Sequence, residues 1–133
     1  MPFSRQRLQK HMAHFGYVLI DTPVIEPASL FLTKAGDQII EHLFSFEHNG
    51  QHYALRPEFT ASAANRYVKQ HLEGVVRWQF NGPVFEDMPE LAGQHWEYIS
   101  VGAELIGMAG SDADAEMMSM AATGLTAQGL VNW

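Results

Sequence analysis

Asn49-Gly50 sits between two runs rich in apolar residues, Leu43-Phe44-Ser45-Phe46-Glu47 and His52-Tyr53-Ala54-Leu55-Arg56, and constrains this chain more than any other feature. A two-residue hairpin turn of the favoured hand needs positive φ at both central positions. Glycine takes such angles freely and asparagine better than most residues, so the pattern predicts a β-hairpin.

The flanking segments place elements around that hairpin. Ser4 predicts an N-cap, followed by a helix with Leu8, Met12 and Phe15 on one face and a stop at Gly16. Tyr17-Val18-Leu19-Ile20 reads as a strand, and Pro23 with Pro27 forces extended chain through Val24-Ile25-Glu26. Ser29 to Ala35 reads as a short helical turn ended by Gly36, and Thr60 as the cap of a helix running to about Leu72, with Ala64, Tyr67, Val68 and His71 on one face. Val75 to Phe80 reads as a strand broken at Asn81-Gly82-Pro83 and resumed at Val84-Phe85. After a polar loop from Asp87 to Gln94, His95 to Ile106 reads as a long strand with Trp96, Tyr98 and Ser100 on one face and a bulge or close approach at Gly102. Ser111 and Asp114 resemble a capping-box start to a last helix, whose Met117, Met118, Met120, Ala121 and Leu125 are core filling and which closes at Gly129. Helix, strand, hairpin, helix, strand pair, helix is the order of an α+β fold, an antiparallel sheet flanked by helices. No repeat or linker divides residues 1–133, so a single domain is expected.

Composition excludes several classes. The 47% apolar content is that of a globular protein, and no apolar run approaches the roughly 20 residues of a membrane span. No apolar core follows the N-terminal charges as a secretory signal would need, so a cytoplasmic protein with no membrane association is expected. Without cysteine there is neither a disulfide nor a thiolate site. His11 with His14, and His48 with His52, lack a third ligand at metal spacing, so no metal is expected. Neither a Gly-x-Ser-x-Gly nucleophile nor a Gly-rich phosphate loop is present, and no cofactor is implied.

Charge is sharply segregated. All eight Lys and Arg lie between Arg5 and Arg77, whereas Trp78 to Trp133 carries eight acids and no cation. Phosphate recognition needs several cationic contacts, which the C-terminal part does not supply.

One cluster exceeds background. Leu55-Arg56-Pro57-Glu58-Phe59-Thr60 puts a charge pair and a hydroxyl where a hairpin strand gives way to a helix. Glu58 there is placed to accept hydrogen bonds from a ligand ammonium, with Thr60 sharing them. The competing local account is an Arg56–acid surface pair and a helix cap on Thr60.

These residues resemble class II aminoacyl-tRNA synthetases of the histidyl branch, through essentially the whole chain. Residues 8–31, with Thr22-Pro23-Val24-Ile25-Glu26-Pro27, are similar to motif 1; residues 55–60 resemble the amino-acid-binding strand end; residues 77–107, with Gly82-Pro83-Val84-Phe85 and Val101-Gly102-Ala103-Glu104-Leu105-Ile106-Gly107, resemble motif 2. The resemblance implies a partial, truncated catalytic-core fold and a histidine-like pocket of Glu58, Thr60, Ser100 and Glu104, with Ser100 standing where the family has glutamine. It also implies a lost catalytic group. Glu86 occupies the motif 2 position of the arginine that grips the ATP α-phosphate, Met88 replaces an acid, and Gln94, His95 and Trp96 replace the loop's basic and aromatic positions. No catalytic residue is assigned, and ATP or tRNA binding by this chain alone is not expected. The expected role is that of a non-catalytic paralogue. Such a chain would bind histidine and join the short-form catalytic subunit of ATP phosphoribosyltransferase as its regulatory subunit, as a homodimer through the first helix and Thr22–Pro27. The alternatives are a fragment of a divergent histidine–tRNA ligase and a ligand-free dimerisation module.

Overall fold

The computed structural model describes residues 2–33, 40–88, 90 and 96–132. In chain order the elements are α1 (Arg5–His14), β1 (Val18–Leu19), β2 (Ile25–Pro27), α2 (Ser29–Leu32), β3 (Ser45–His48), β4 (Gln51–Leu55), α3 (Thr60–Lys69), β5 (Val76–Phe85), β6 (Glu97–Ile106) and α4 (Ser111–Ala127). They form two three-stranded sheets, β1-β5-β6 and β2-β4-β3. By contact the chain divides into two compact units, one of Met1–Ile20, His71–Asn81 and Val101–Trp133, the other of Asp21–Gln70 and Gly82–Ser100.

In the first unit, Ser4 caps α1 as the sequence predicts, its Oγ accepting from the Arg7 N–H at 3.4 Å. Met12, Tyr17 and Met120 form the buried core, with Leu8, Phe15, Val101, Ala103, Leu105 and Met117 packed on it. Met118 is the exception in the methionine stripe, 72% exposed. At 100° per residue it faces away from the side shared by Met117 and Met120. Helix α1 approaches α4 so closely at Gly124 that a Cβ there would lie 3.0 Å from Leu8 Cδ1 and His11 Cδ2. The His11 Nε2–H donates to the Met120 carbonyl at 3.0 Å across that contact. Helix α4 starts at Gly110, not at a Ser111 side-chain cap: the Gly110 carbonyl accepts from Ala113 N and Asp114 N.

Strand β1 runs parallel to β5, Val18 opposite Trp78 and Leu19 opposite Gln79, a departure from the all-antiparallel expectation. A parallel neighbour needs a long crossover, and residues 20–75 supply it. Strand β5 also runs unbroken through Asn81-Gly82-Pro83. Proline lacks a ladder donor, but the Pro83 carbonyl is still satisfied, by Arg56 Nε at 2.8 Å.

The Arg77 guanidinium donates twice to Glu116, from Nε at 2.6 Å and Nη2 at 2.8 Å, while the buried Tyr17 hydroxyl donates to the same carboxylate at 3.0 Å. Arg77 foremost, then Tyr17, holds the Glu116 carboxyl below its ordinary range. A carboxyl depressed in the folded state stabilises above its unfolded pKa, and that contribution disappears as pH falls through the folded value. The urea midpoint should therefore fall more steeply on acidification for the parent chain than for Glu116→Gln. Midpoints measured from neutral to acid pH check this, and parallel curves would contradict it.

In the second unit, β3 and β4 pair antiparallel, His48 opposite Gln51 and Ser45 opposite Ala54. Asn49 (φ 50) and Gly50 (φ 75) both take positive φ, the type I′ geometry expected of this dipeptide. Strand β2 adds to the other side of β4, Ile25 opposite Leu55. Ala28, Phe31, Leu43 and Ala54 form the core, with Leu30 and Ala61 against it. Helix α3 ends at Lys69, short of Leu72, and buries Ser62 and Ala63. The Ala64–Val68 face turns to solvent, with Val68 68% exposed. The Gly36 stop expected for α2 lies outside the described residues.

Candidate functional site

Strand β4 delivers Arg56 to a buried position in the second unit, 6% exposed. Its Nε donates to the Pro83 carbonyl, and its Nη1 to the Thr22 carbonyl at 2.7 Å and Thr22 Oγ1 at 3.3 Å. The guanidinium carbon also lies 4.8 Å from the centroid of the Phe59 ring. Arg56 is thus not half of a surface ion pair. It is an internal brace tying β4 to residues 22 and 83. Burial pushes its pKa below the usual arginine value, yet a guanidinium stays charged in this range.

Pro57 turns the chain out of the strand, and Glu58 folds back over the start of α3. Its carboxylate accepts from Thr60 N and, at 3.1 Å, from Ala61 N. Thr60 is the first residue of the helix and is exposed; the cap expected from its side chain is supplied by Glu58 instead. A carboxylate reaches two orphan N–H groups at once and suits the positive end of the helix dipole. Glu58→Ala should cost about 1 kcal/mol. Urea denaturation would read this, with faster amide exchange at Thr60 and Ala61; unchanged exchange would refute the cap.

The structure therefore brings Glu58 and Thr60 together. Ser100 and Glu104 are placed by a different element, β6, half-buried and four residues apart on one strand face. Glu86 follows the end of β5. Its N–H donates to the Trp96 carbonyl at 3.0 Å, and its carboxylate accepts the Tyr98 hydroxyl at 2.6 Å. Trp96 meets Phe44 edge-on at 5.4 Å between ring centroids. Burial first, then this bond and the Glu86 charge, push the Tyr98 phenol up to about 12. The Tyr98 hydroxyl thus fixes the direction of the Glu86 side chain. Gln94 and His95 lie outside the described residues.

Sequence reasoning named Tyr98 only as a neighbour of Trp96 and missed it as the partner of Glu86. An acid and a tyrosine on opposite arms of a strand–loop–strand segment were the available signal. Among the described residues, no group of three or more His, Asp or Glu is arranged to hold a metal ion. No helix there is long and apolar enough to cross a membrane.

Comparison with known proteins places these features in a lineage. A family model described as histidyl-tRNA synthetase matches residues 3–132. The histidine–tRNA ligase of Sorangium cellulosum is 36% identical over 118 residues, which are 84% of this chain and 28% of that protein. That of Haloarcula marismortui is 33% identical over 131 residues, 96% of this chain and 30% of that protein. Among solved structures, an ATP phosphoribosyltransferase regulatory subunit/histidyl-tRNA synthetase from Bacillus halodurans superposes with a TM-score of 0.80 at 24% identity, over 96% of this chain and 33% of that one. Apo histidyl-tRNA synthetase from S. aureus gives 0.73 at 24% identity, over 94% and 30%. At that identity the structural likeness is one of fold. The chain spans 28% and 30% of the length of the two ligases.

Proposed function

The chain belongs to the histidyl-tRNA synthetase family, with an α+β fold like part of the class II catalytic core, and we propose that it is a non-catalytic member. In this proposal it binds histidine through Glu58, Thr60, Ser100 and Glu104 and acts as a regulatory subunit with a short-form ATP phosphoribosyltransferase catalytic subunit. The observation that carries this is Glu86. An arginine on a phosphate makes charge-assisted, often bidentate bonds. Here a carboxylate oriented by Tyr98 stands at that position and repels the same oxygens. Loss of one donor that stabilises developing charge costs on the order of 10²–10³ in rate, and reversing its sign costs more. No lysine or arginine follows Arg77 in sequence, and Arg77 is itself engaged by Glu116. The fold shared with an ATP phosphoribosyltransferase regulatory subunit/histidyl-tRNA synthetase is compatible with either role, regulatory subunit or ligase.

Glu58 keeps unused acceptor capacity. Two backbone N–H groups occupy part of a carboxylate that offers about four lone-pair sites, so a ligand ammonium can still be received. Homodimerisation belongs to the same proposal, supported by Ile25 of β2 (51% exposed) and Val24 just before it (37% exposed).

Calorimetry with L-histidine tests the pocket: saturable heat lost in Glu104→Gln supports it, and a flat titration at millimolar histidine removes it. Co-elution with a purified short-form catalytic subunit tests the regulatory role. The ligase reading is favoured by the 36% identity to a histidine–tRNA ligase. Histidine-dependent ATP–pyrophosphate exchange by the unmodified chain would establish it over the proposal.

A further inference from the structure

A second pocket lies in the unit of Asp21–Gln70 and Gly82–Ser100, where residues 21–26 meet the Ser62–Lys69 face of α3. Its volume is about 330 Å³, and its lining includes Thr22, Glu26, Ser62, Asn65, Arg66 and Lys69. The deepest groups are polar. Ser62 is 2% exposed and its Oγ has no hydrogen-bond partner, while Glu26 is 9% exposed. Buried polar groups are normally paired, so an orphan hydroxyl beside a buried carboxylate marks a place where a partner is missing. Burial raises the Glu26 pKa and the Lys69 charge lowers it, yet the two form no ion pair among the described residues. Both side chains line the pocket without pairing.

The alternation of β2 explains why Glu26 is there. Its neighbours Ile25 and Pro27 are exposed and Glu26 is buried, so the acid points to the opposite side of the strand. The wall behind it is rigid, because Thr22 is the residue that holds the buried Arg56. The buried acceptors Glu26 and Ser62 share the pocket with Asn65, Arg66 and Lys69; Lys69 and Asp21 are exposed at its rim, and Arg66 Nη1 donates to the Asp21 carbonyl at 3.0 Å.

We infer that this pocket binds a compact zwitterion, its ammonium received by the Glu26 carboxylate and Ser62 Oγ and its carboxylate by Lys69 and Arg66. An ammonium brings three donors and a compensating charge to the two buried acceptors, whereas an anion or a neutral polyol leaves the charge of the carboxylate unmatched. The site shares no residue with the proposed histidine pocket, so the two stand or fall separately.

The test is an NMR titration of the 133-residue chain with γ-aminobutyrate, read at the Ser62 and Asn65 amides, with butyrate and butylammonium as its two halves. The zwitterion should give saturable shifts at millimolar concentration and bind roughly tenfold more tightly than either half. Glu26→Gln should weaken it roughly tenfold, whereas Glu47→Gln, at an exposed position of β3, should leave it unchanged. Should Glu26→Gln fail to fold, Lys69→Met carries the test, because its exposed site leaves the core intact; it should weaken γ-aminobutyrate and spare butylammonium. Three results would overturn the inference: no saturable shift at Ser62 and Asn65, equal binding of all three probes, or γ-aminobutyrate binding indifferent to Lys69→Met. Shifts that follow protein concentration instead of probe would overturn it too, by assigning the pocket to a second copy of the chain.

Discussion

Arg56→Met should lower the unfolding free energy by about 3–4 kcal/mol, the largest loss expected from any single polar residue here. The side chain is 6% exposed and satisfies the Pro83 and Thr22 carbonyls, the second of them from the same nitrogen that reaches Thr22 Oγ1. Methionine fills much of the volume but leaves those acceptors unpaired in a water-poor site, and an unmatched buried polar group costs about 1–3 kcal/mol. Lysine should not rescue, because one ammonium cannot reproduce a planar fork that reaches two carbonyls and stacks on Phe59. Gly82 supplies the internal control. A Cβ there would sit 2.7 Å from Arg56 Nη2, so Gly82→Ala must push a guanidinium that its hydrogen bonds hold in place. The cost of Gly82→Ala should shrink in the Arg56→Met background, giving a coupling of about 1 kcal/mol or more. Urea midpoints of the four chains decide it. Strict additivity would mean that the brace is not what Gly82 protects.

Glu86→Arg should raise affinity for inorganic triphosphate by roughly tenfold or more at low salt, with the gain fading as ionic strength rises. The substitution removes a carboxylate and installs a cation at the end of β5, a swing of two charges beside one site. Calorimetry at low and high salt reads the effect. A second signal is independent of ligand: without Glu86 the Tyr98 phenol loses an acceptor and a neighbouring negative charge, so its pKa should drop from about 12 toward the ordinary tyrosine value. Ultraviolet titration of the phenolate measures this. Unchanged triphosphate affinity at low salt would remove the electrostatic basis for regarding the chain as non-catalytic. Restored affinity without pyrophosphate exchange would agree with it, because binding phosphate and stabilising a transition state are separate demands.

Local chemistry made much of the fold legible. The Asn49-Gly50 hairpin, the Ser4 cap and the α1 face of Met12 depend on torsional preference and periodicity, which neighbouring residues carry in full. Glu86 was singled out differently, by a motif resemblance and by the absence of any cation after Arg77, and its proposed role rests on those. Where two local solutions competed, the sequence could not choose. Thr60 and Ser111 were both plausible caps, yet Glu58 and the Gly110 carbonyl took those roles, because capping depends on which acceptor the incoming chain direction aims at the open N–H groups.

Tertiary structure alone decided the rest. That Arg56 turns inward to Thr22 and Pro83, that β1 lies parallel to β5, and that Tyr98 locks Glu86 all require residues at least 12 apart in sequence to meet. The Asn81-Gly82-Pro83 segment reads as a break when taken alone, and it becomes strand because a buried guanidinium satisfies the Pro83 carbonyl. The sequence by itself determined which stretches turn, cap and alternate, and how its charge is distributed, since those follow from each residue and its near neighbours. Which polar groups are buried, and what completes them, depends on partners that only folding brings within about 3 Å, the range at which hydrogen bonds form.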